Sequence, residues 1–144
     1  MFFRKTVPMA LMAASFMAAS TPFAVAGGHH EMFMGHITGE HSANSHPDGE
    51  VHASLNPQTN ELSYSIRWSG LTGPVDAAHF HGPAAPDQDA GVLAPIDGPY
   101  TSPLKGKVKL ASEQVQALEA GQVYVNLHTK AYPNGEARAQ LVKQ

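Results

Sequence analysis

The chain has 144 residues, about the length of one domain with a leader segment, and its formal net charge is −3 at pH 7. After the first 26 residues, the seven lysines and arginines are scattered rather than clustered, which argues against nucleic acid as a partner. Because the sequence contains no cysteine, disulfides, thiolate metal sites and thiol chemistry are excluded. Any metal must therefore be bound through nitrogen, oxygen or thioether sulfur.

The first 26 residues show the pattern of a secretory signal peptide. Two basic residues precede an apolar segment at residues 7–20, and the motif AVA at residues 24–26 fits a cleavage site. The alternative, an uncleaved anchor, is disfavoured because the apolar segment is shorter than the about 20 residues that a spanning helix needs. We therefore expect residues 1–26 to be removed. Residues 27–144 are then expected to fold as one domain, periplasmic or secreted, without stable membrane insertion.

Short segments in which apolar and polar residues alternate follow this leader, and turn residues separate them. They predict strands at residues 32–38, 50–55, 61–68, 77–83, 91–96, 104–110, 123–129 and 136–142. One short helix is predicted at residues 112–120, with Ser112 as its N-cap and Gly121 just beyond its end. The pattern indicates an all-β fold, an antiparallel Greek-key β-sandwich with one short helix.

Two of these predicted strands place histidines on one face. Successive side chains of a strand point to opposite faces, so His79 and His81 share a face and lie about 6.6 Å apart along the chain. His128 lies on the polar face of its own strand, together with Asn126. If the two strands are neighbours, three imidazoles can converge on one metal ion. The alternative is that these histidines are structural and bond the backbone of nearby loops.

Four phrases of the sequence resemble the CHRD domain, a module widespread in exported bacterial proteins. They are LTG at residues 71–73, AHFHGPA at 78–84, GQVYVNLHT at 121–129 and PNGEARAQL at 133–141. The resemblance covers roughly residues 32–142 and implies a β-sandwich related to the Cu/Zn superoxide dismutase fold. It implies less about function, and the extra histidines and methionines before residue 53 are not part of the family pattern.

Copper is the metal expected at His79, His81 and His128, with zinc as the alternative, because neutral imidazole suits both ions. Asn126 and Arg138 are expected on the same polar face, where they would support the ligands. His52 lies opposite the apolar face of its own predicted strand. It is therefore a candidate for a fourth ligand to this site.

A second candidate site lies at residues 27–30. Cleavage after residue 26 would free the amine of Gly27, which can bind a metal together with two backbone amide nitrogens and the imidazole of His29. Such a square-planar four-nitrogen set selects Cu(II) or Ni(II). Gly28 and His30 complete this segment. The alternative is a polar tail whose histidines have no function.

Soft ligands follow directly after that segment. Met32, Met34 and His36 share one face of a predicted strand, and thioethers favour Cu(I). A mixed sulfur–nitrogen site is therefore a further hypothesis, and core methionines with solvated histidines are its alternative. Among the remaining histidines, His41 and His46 lie in a polar segment.

These patterns favour an exported copper-binding protein, a carrier or buffer rather than an enzyme. Two other functions remain open. A metalloenzyme of superoxide dismutase type would use the same histidines, although the bridging histidine and zinc-binding aspartate of that family are not evident. An adhesion or scaffolding module would use them only structurally. The metal ion is the expected partner, and the sequence does not identify a partner protein.

Overall fold

The computed structural model describes residues 28–40 and 43–144. The predicted leader at residues 1–26, as well as Gly27 and His41, lies outside the described residues. The described chain forms ten strands and one helix, in the order β1 (Glu31–His36), β2 (Thr38–Gly39), β3 (Asp48–Asn56), β4 (Glu61–Ser69), β5 (Val75–His81), β6 (Val92–Ile96), β7 (Leu104–Lys109), α1 (Ser112–Glu119), β8 (Tyr124–Thr129), β9 (Ala137–Gln140) and β10 (Val142–Lys143).

The strands form two five-stranded sheets in which every neighbouring pair is antiparallel. The first sheet has the order β10-β1-β3-β4-β7, and the second has the order β2-β9-β8-β5-β6. Apolar side chains from both sheets pack into one core between them. The prediction of an antiparallel all-β sandwich with one short helix is confirmed, whereas its relation to the superoxide dismutase fold stays a prediction.

The hairpin of β3 and β4 shows how alternation builds this core. Every second residue of each strand points inward, and the pairing register places these residues opposite one another: Val51 with Ile66, Ala53 with Tyr64, and Leu55 with Leu62. The residues between them face outward and remain partly exposed. The alternation therefore fixes which side chains reach the core and which form the outer face of the first sheet.

Two predicted strands are each divided between the sheets. The predicted strand at residues 32–38 breaks at Ile37, so that β1 pairs with β3 in the first sheet and β2 pairs with β9 in the second. Leu141 likewise separates β9 in the second sheet from β10 in the first. Both side chains are buried in the core. The chain therefore crosses between the layers near each end of the described domain.

The helix α1 begins with a different cap from the one predicted. Ala111 is the N-cap residue, and its backbone N–H donates a hydrogen bond to Oε1 of Gln114 at 2.8 Å. The prediction of Ser112 as N-cap is wrong because Ser112 is already helical. Gly121 follows the helix with φ of +71°, a left-handed conformation that glycine adopts without strain. In the described part of the chain, no helix has the length and apolar character needed to cross a membrane.

Candidate metal centre

Strands β5 and β8 are neighbours in the second sheet and carry the three predicted ligands. Their alternate apolar residues are buried in the core, so His79, His81 and His128 point to the outer face of the sheet. The register places His79 opposite Asn126 and His128 opposite Ala77. The side chains of His79 and His128 therefore meet diagonally across the strand pair, within reach of each other.

The three imidazoles form one cluster, which we call the histidine triad. Nδ1 of His79 lies 3.3 Å from Nε2 of His128, and the ring centroids of His81 and His128 are 6.0 Å apart. One donor nitrogen from each ring lies within 4.8 Å of the other two. Two nitrogens bound to one metal at 2.0–2.1 Å are about 3.3–3.6 Å apart in tetrahedral or trigonal geometry. Small side-chain adjustments therefore suffice for the triad to hold a metal ion.

Backbone carbonyls fix the orientation of two of the three rings. The carbonyl oxygen of Ala90 lies 2.9 Å from Nδ1 of His81, and that of Pro133 lies 3.0 Å from Nδ1 of His128. Because a carbonyl only accepts, we assign the Nδ1–H tautomer to both rings, which leaves the lone pair on Nε2. Metal-binding histidines are commonly oriented by a hydrogen bond of this kind from the second ring nitrogen. His81 and His128 thus offer Nε2, and His79 offers Nδ1.

Nε2 of His81 is buried and has no hydrogen-bond partner among the described residues. The side chain is 9% exposed, and that of His128 is 8% exposed. Leaving a buried polar nitrogen unpaired costs about 1–3 kcal/mol. A metal ion bound to the triad would satisfy this atom.

The pKa of His79 lies below its ordinary value. Partial burial is the main cause, and the neighbouring His128 and His81 lower the pKa further because they disfavour a second positive charge. Only the neutral imidazole has a lone pair for a metal ion. The lowered pKa therefore keeps His79 available as a ligand at neutral pH.

Tyr124 and Arg138 form a stack beside His81. The rings of His81 and Tyr124 are nearly parallel, with an angle of 15° and a centroid separation of 5.1 Å. The guanidinium carbon of Arg138 lies 3.6 Å from the centroid of the Tyr124 ring. Since β8 lies between β5 and β9, His81 and Arg138 contact Tyr124 from opposite sides. The sequence predicts Arg138 on this face, but the stacking role of Tyr124 was not predicted.

Arg138 also holds the loop between β5 and β6, which contacts His81 of the triad through Ala90. Its guanidinium donates to the carbonyl oxygens of Ala85 at 2.9 Å and Gln88 at 2.8 Å. The same loop supplies the carbonyl of Ala90, whose N–H donates to the hydroxyl of Tyr124 at 3.0 Å. The position of the carbonyl that orients His81 is therefore fixed by two side chains of the sheet.

Asn126 lies on the same face, and its amide bonds to a carboxylate. Nδ2 of Asn126 donates to Oε2 of Glu40 at 2.9 Å, and Glu40 lies 3.8 Å from Nη1 of Arg138. Gly135, with φ of +119°, packs on this amide, and a Cβ atom there would collide with the Asn126 side chain. Asn126 therefore connects the elements around the triad, and its hydrogen bond goes to Glu40 and not to an imidazole.

Glu136 has no exposed surface and joins the loop after β4 to the end of β8. Its carboxylate accepts hydrogen bonds from the backbone N–H of Thr72 at 2.7 Å, the hydroxyl of Thr72 at 2.9 Å and the hydroxyl of Thr129 at 2.6 Å. Burial acts to raise the pKa of Glu136, but the hydrogen bonds outweigh burial and hold the pKa below its ordinary value. The carboxylate therefore stays charged and anchors a loop next to His128.

His52 does not join the triad. It lies on β3 in the first sheet, directly opposite Met34, and its Nε2 is 3.2 Å from Oε2 of Glu50. Its neighbours Val51 and Ala53 face the core, so His52 points to the outer face of the first sheet, with the core between it and the triad. The prediction of His52 as a fourth ligand is wrong for this reason.

The candidate site at residues 27–30 is described only in part. Gly28, His29 and His30 precede β1, and Nδ1 of His30 lies 3.0 Å from Oγ of Ser54. Gly27 lies outside the described residues. A four-nitrogen site at this position therefore stays a prediction.

A family model of the CHRD domain matches residues 33–141. The match extends from β1 to the residue between β9 and β10, so it includes strands of both sheets and all three histidines of the triad. Comparison with curated proteins and with solved structures yields no match. The resemblance carried by the sequence motifs is confirmed, and the chain belongs to the CHRD domain family.

Proposed function

We propose that this protein binds a copper ion through His79, His81 and His128 and acts as a copper carrier or buffer outside the cytoplasm. The observation that supports this most directly is the convergence of three imidazoles whose donor nitrogens lie within 4.8 Å of one another. Hydrogen bonds to the carbonyl oxygens of Ala90 and Pro133 orient two of these rings independently of a bound metal. Ligands that are already oriented lose less freedom on binding.

The donor set supports copper. Among the described residues the cluster contains imidazoles alone, without a carboxylate that would favour hard cations. At a given nitrogen site, Cu(II) binds more tightly than the other divalent first-row metals. Zinc is the competing ion, since three histidines also form known types of zinc site.

Two features support a carrier or buffer. His79 is only partly buried, so a metal ion can approach and leave from its side, whereas His81 and His128 lie deeper. The leader pattern at residues 1–26 favours export. We therefore place the protein in the periplasm or outside the cell, where it would bind copper and pass it on.

The test is a competition titration of the purified protein with Cu(I), Cu(II) and Zn(II). We expect one tight copper equivalent that is lost in the His79→Ala/His81→Ala double variant while the far-UV circular dichroism of the sandwich is retained. The exposed His46→Ala variant is the matched control and should bind as the parent does. Unchanged stoichiometry in the double variant, or tighter binding of zinc than of copper, would contradict the proposal.

A further inference from the structure

The outer face of the first sheet carries two methionines that the core does not use. On β1, Phe33 and Gly35 are buried, so the alternate residues Met32 and Met34 point outward. The side chain of Met32 is 46% exposed. Large apolar side chains on an open sheet face gain little from burial, which raises the question of what the two thioethers contact.

The strand pairing brings an imidazole to these thioethers. Met34 lies directly opposite His52 on β3, and residues so paired have Cβ atoms about 4.5–5.5 Å apart. Met32 is two residues away on the same strand face, about 6.6–6.8 Å along the chain, and is the diagonal neighbour of His52. Methionine has a long, unbranched side chain, so both sulfur atoms can turn toward the imidazole.

Charge at this place favours a cation. Oε2 of Glu50 lies 3.2 Å from Nε2 of His52, which positions the ring and adds negative charge beside it. When Nε2–H donates to Glu50, the lone pair of His52 lies on Nδ1. His36, which also points outward from β1, lies opposite Glu50 in the register, and Glu50 lies opposite Arg67. His36 lies two residues from Met34 along β1, whereas His52 lies directly across from Met34, so His52 is the nearer imidazole.

Thioether sulfur and imidazole together are a donor set that selects Cu(I). We propose that Met32, Met34 and His52 form a Cu(I) site on the outer face of the first sheet, separate from the histidine triad. The core of the sandwich lies between the two places, so this site goes beyond the copper function proposed for the triad and does not depend on it.

An apolar patch is the alternative explanation for the two methionines. Val142 lies opposite Met34 on β10 and is 54% exposed, so the three side chains could simply cover one another. Leucine has nearly the volume and apolar character of methionine but no sulfur. The Met32→Leu/Met34→Leu double variant therefore keeps such a patch and removes the proposed ligands.

The experiment is an anaerobic titration of the protein with Cu(I) against a coloured Cu(I) chelator, followed by X-ray absorption of the copper-loaded samples. We expect the Met32→Leu/Met34→Leu variant to bind one Cu(I) equivalent fewer than the parent and to lose copper–sulfur scattering. Since further methionines lie in residues 1–26, the difference between variant and parent is the measured quantity. The His52→Asn variant should weaken Cu(I) binding at this site at least tenfold.

Two controls separate this site from its alternatives. His36→Asn changes a histidine on the same strand face and should leave the Cu(I) stoichiometry unchanged; a loss there would overturn the assignment to His52. The His79→Ala/His81→Ala variant should keep the copper–sulfur scattering, so failure of the triad and failure of this site are distinguishable. The same Cu(I) stoichiometry and scattering in the double leucine variant as in the parent would overturn the proposal.

Discussion

The two outer faces of this sandwich follow the same alternating pattern and end in different environments. On the second sheet, every residue of β8 is buried, because the core packs on one side and a loop held by Arg138 covers part of the other. On the first sheet, β3 and β4 bury alternate residues only, and the outward ones stay partly exposed. The segments that cover the second sheet, including this loop, Glu40 and the turn with Pro133 and Gly135, make the difference, and the strand pattern does not.

This difference predicts two kinds of metal binding. On the outer face of the second sheet, which we call the covered face, backbone carbonyls orient the imidazoles of His81 and His128. Few rearrangements are therefore needed before a metal binds there. On the outer face of the first sheet, which we call the open face, Met32 is 46% exposed and Met34 is partly exposed. We expect binding at the covered face to be tighter and slower to reverse than at the open face.

The largest effect is expected from removal of a ligand on the covered face. His81→Ala removes a buried donor nitrogen, and its cost should exceed the about 10–100-fold loss of affinity that changes around the ligands typically cause. His52→Ala is the matched change on the open face and should leave the Cu(II) affinity of the triad unchanged. A Cu(II) competition titration measures both. Similar losses in the two variants would refute the assignment of the triad.

The next effect concerns stability. Glu136→Gln removes a buried charge that accepts three hydrogen bonds, and we expect a loss of about 1.5–3 kcal/mol in the free energy of unfolding at pH 7. The exposed Glu50→Gln on the open face should change it by less than about 0.5 kcal/mol. Urea denaturation of both variants checks this prediction, and equal losses would contradict it.

The same carboxylate gives a dependence on pH. The folded pKa of Glu136 is held below its ordinary value of 4.5, so the unfolded chain binds the proton more readily. Its contribution to stability is therefore complete above that ordinary value and is lost as the pH falls through the folded pKa. Urea denaturation is measured at pH values from about 3 to about 7, which span the usual carboxyl range. As the pH falls, the free energy of unfolding should decrease less in Glu136→Gln than in the parent.

A smaller effect is expected from the support of the loop. Arg138→Met removes the hydrogen bonds to the loop carbonyls and the contact with Tyr124, so the carbonyl that orients His81 becomes less fixed. We expect the copper affinity of the triad to fall about tenfold, at the lower end of such effects. Arg67→Met on the open face is the control and should have no effect. An unchanged affinity in Arg138→Met would mean that the loop does not position the ligand.

A change at the candidate N-terminal site is expected to have the smallest effect on metal binding at the two faces. If the processed chain begins at Gly27, one extra residue before it displaces His29 from the third position and abolishes the four-nitrogen Cu(II) spectrum. The affinity of the triad and the Cu(I) stoichiometry should not change. A visible spectrum that is indifferent to the insertion would exclude the N-terminal site.

Much of the fold follows from alternation in the sequence. The strand segments, the inward faces of β3 and β4 and the convergence of His79, His81 and His128 all depend on a period of two residues, which any strand must obey. The same period appears in the edge strand β7, where every second residue is a lysine, beginning with Lys105 between Leu104 and Gly106. Charged residues of this kind are typical of edge strands.

What alternation cannot predict is the sheet to which a strand belongs. His52 and His79 both lie opposite apolar neighbours, and this pattern is the same in either layer, so the distance between them was not predictable. The carbonyls of Ala90 and Pro133 were missed for a different reason. Their positions depend on the path of loops, and a backbone carbonyl leaves no signal in the sequence.

The sheet holds the loop between β5 and β6 mostly through the main chain of the loop, and the carboxylate of Asp89 adds a side-chain contact to Arg138 at 3.4 Å. Arg138 contacts the carbonyls of Ala85 and Gln88, and His81 contacts that of Ala90. Every residue type supplies the same carbonyl, so the side chains at Ala85 and Gln88 can change without loss of these hydrogen bonds, whereas Ala90 must also keep the N–H that donates to Tyr124. Different side chains at Ala85 and Gln88 would therefore give the loop a different outer surface above the same three histidines.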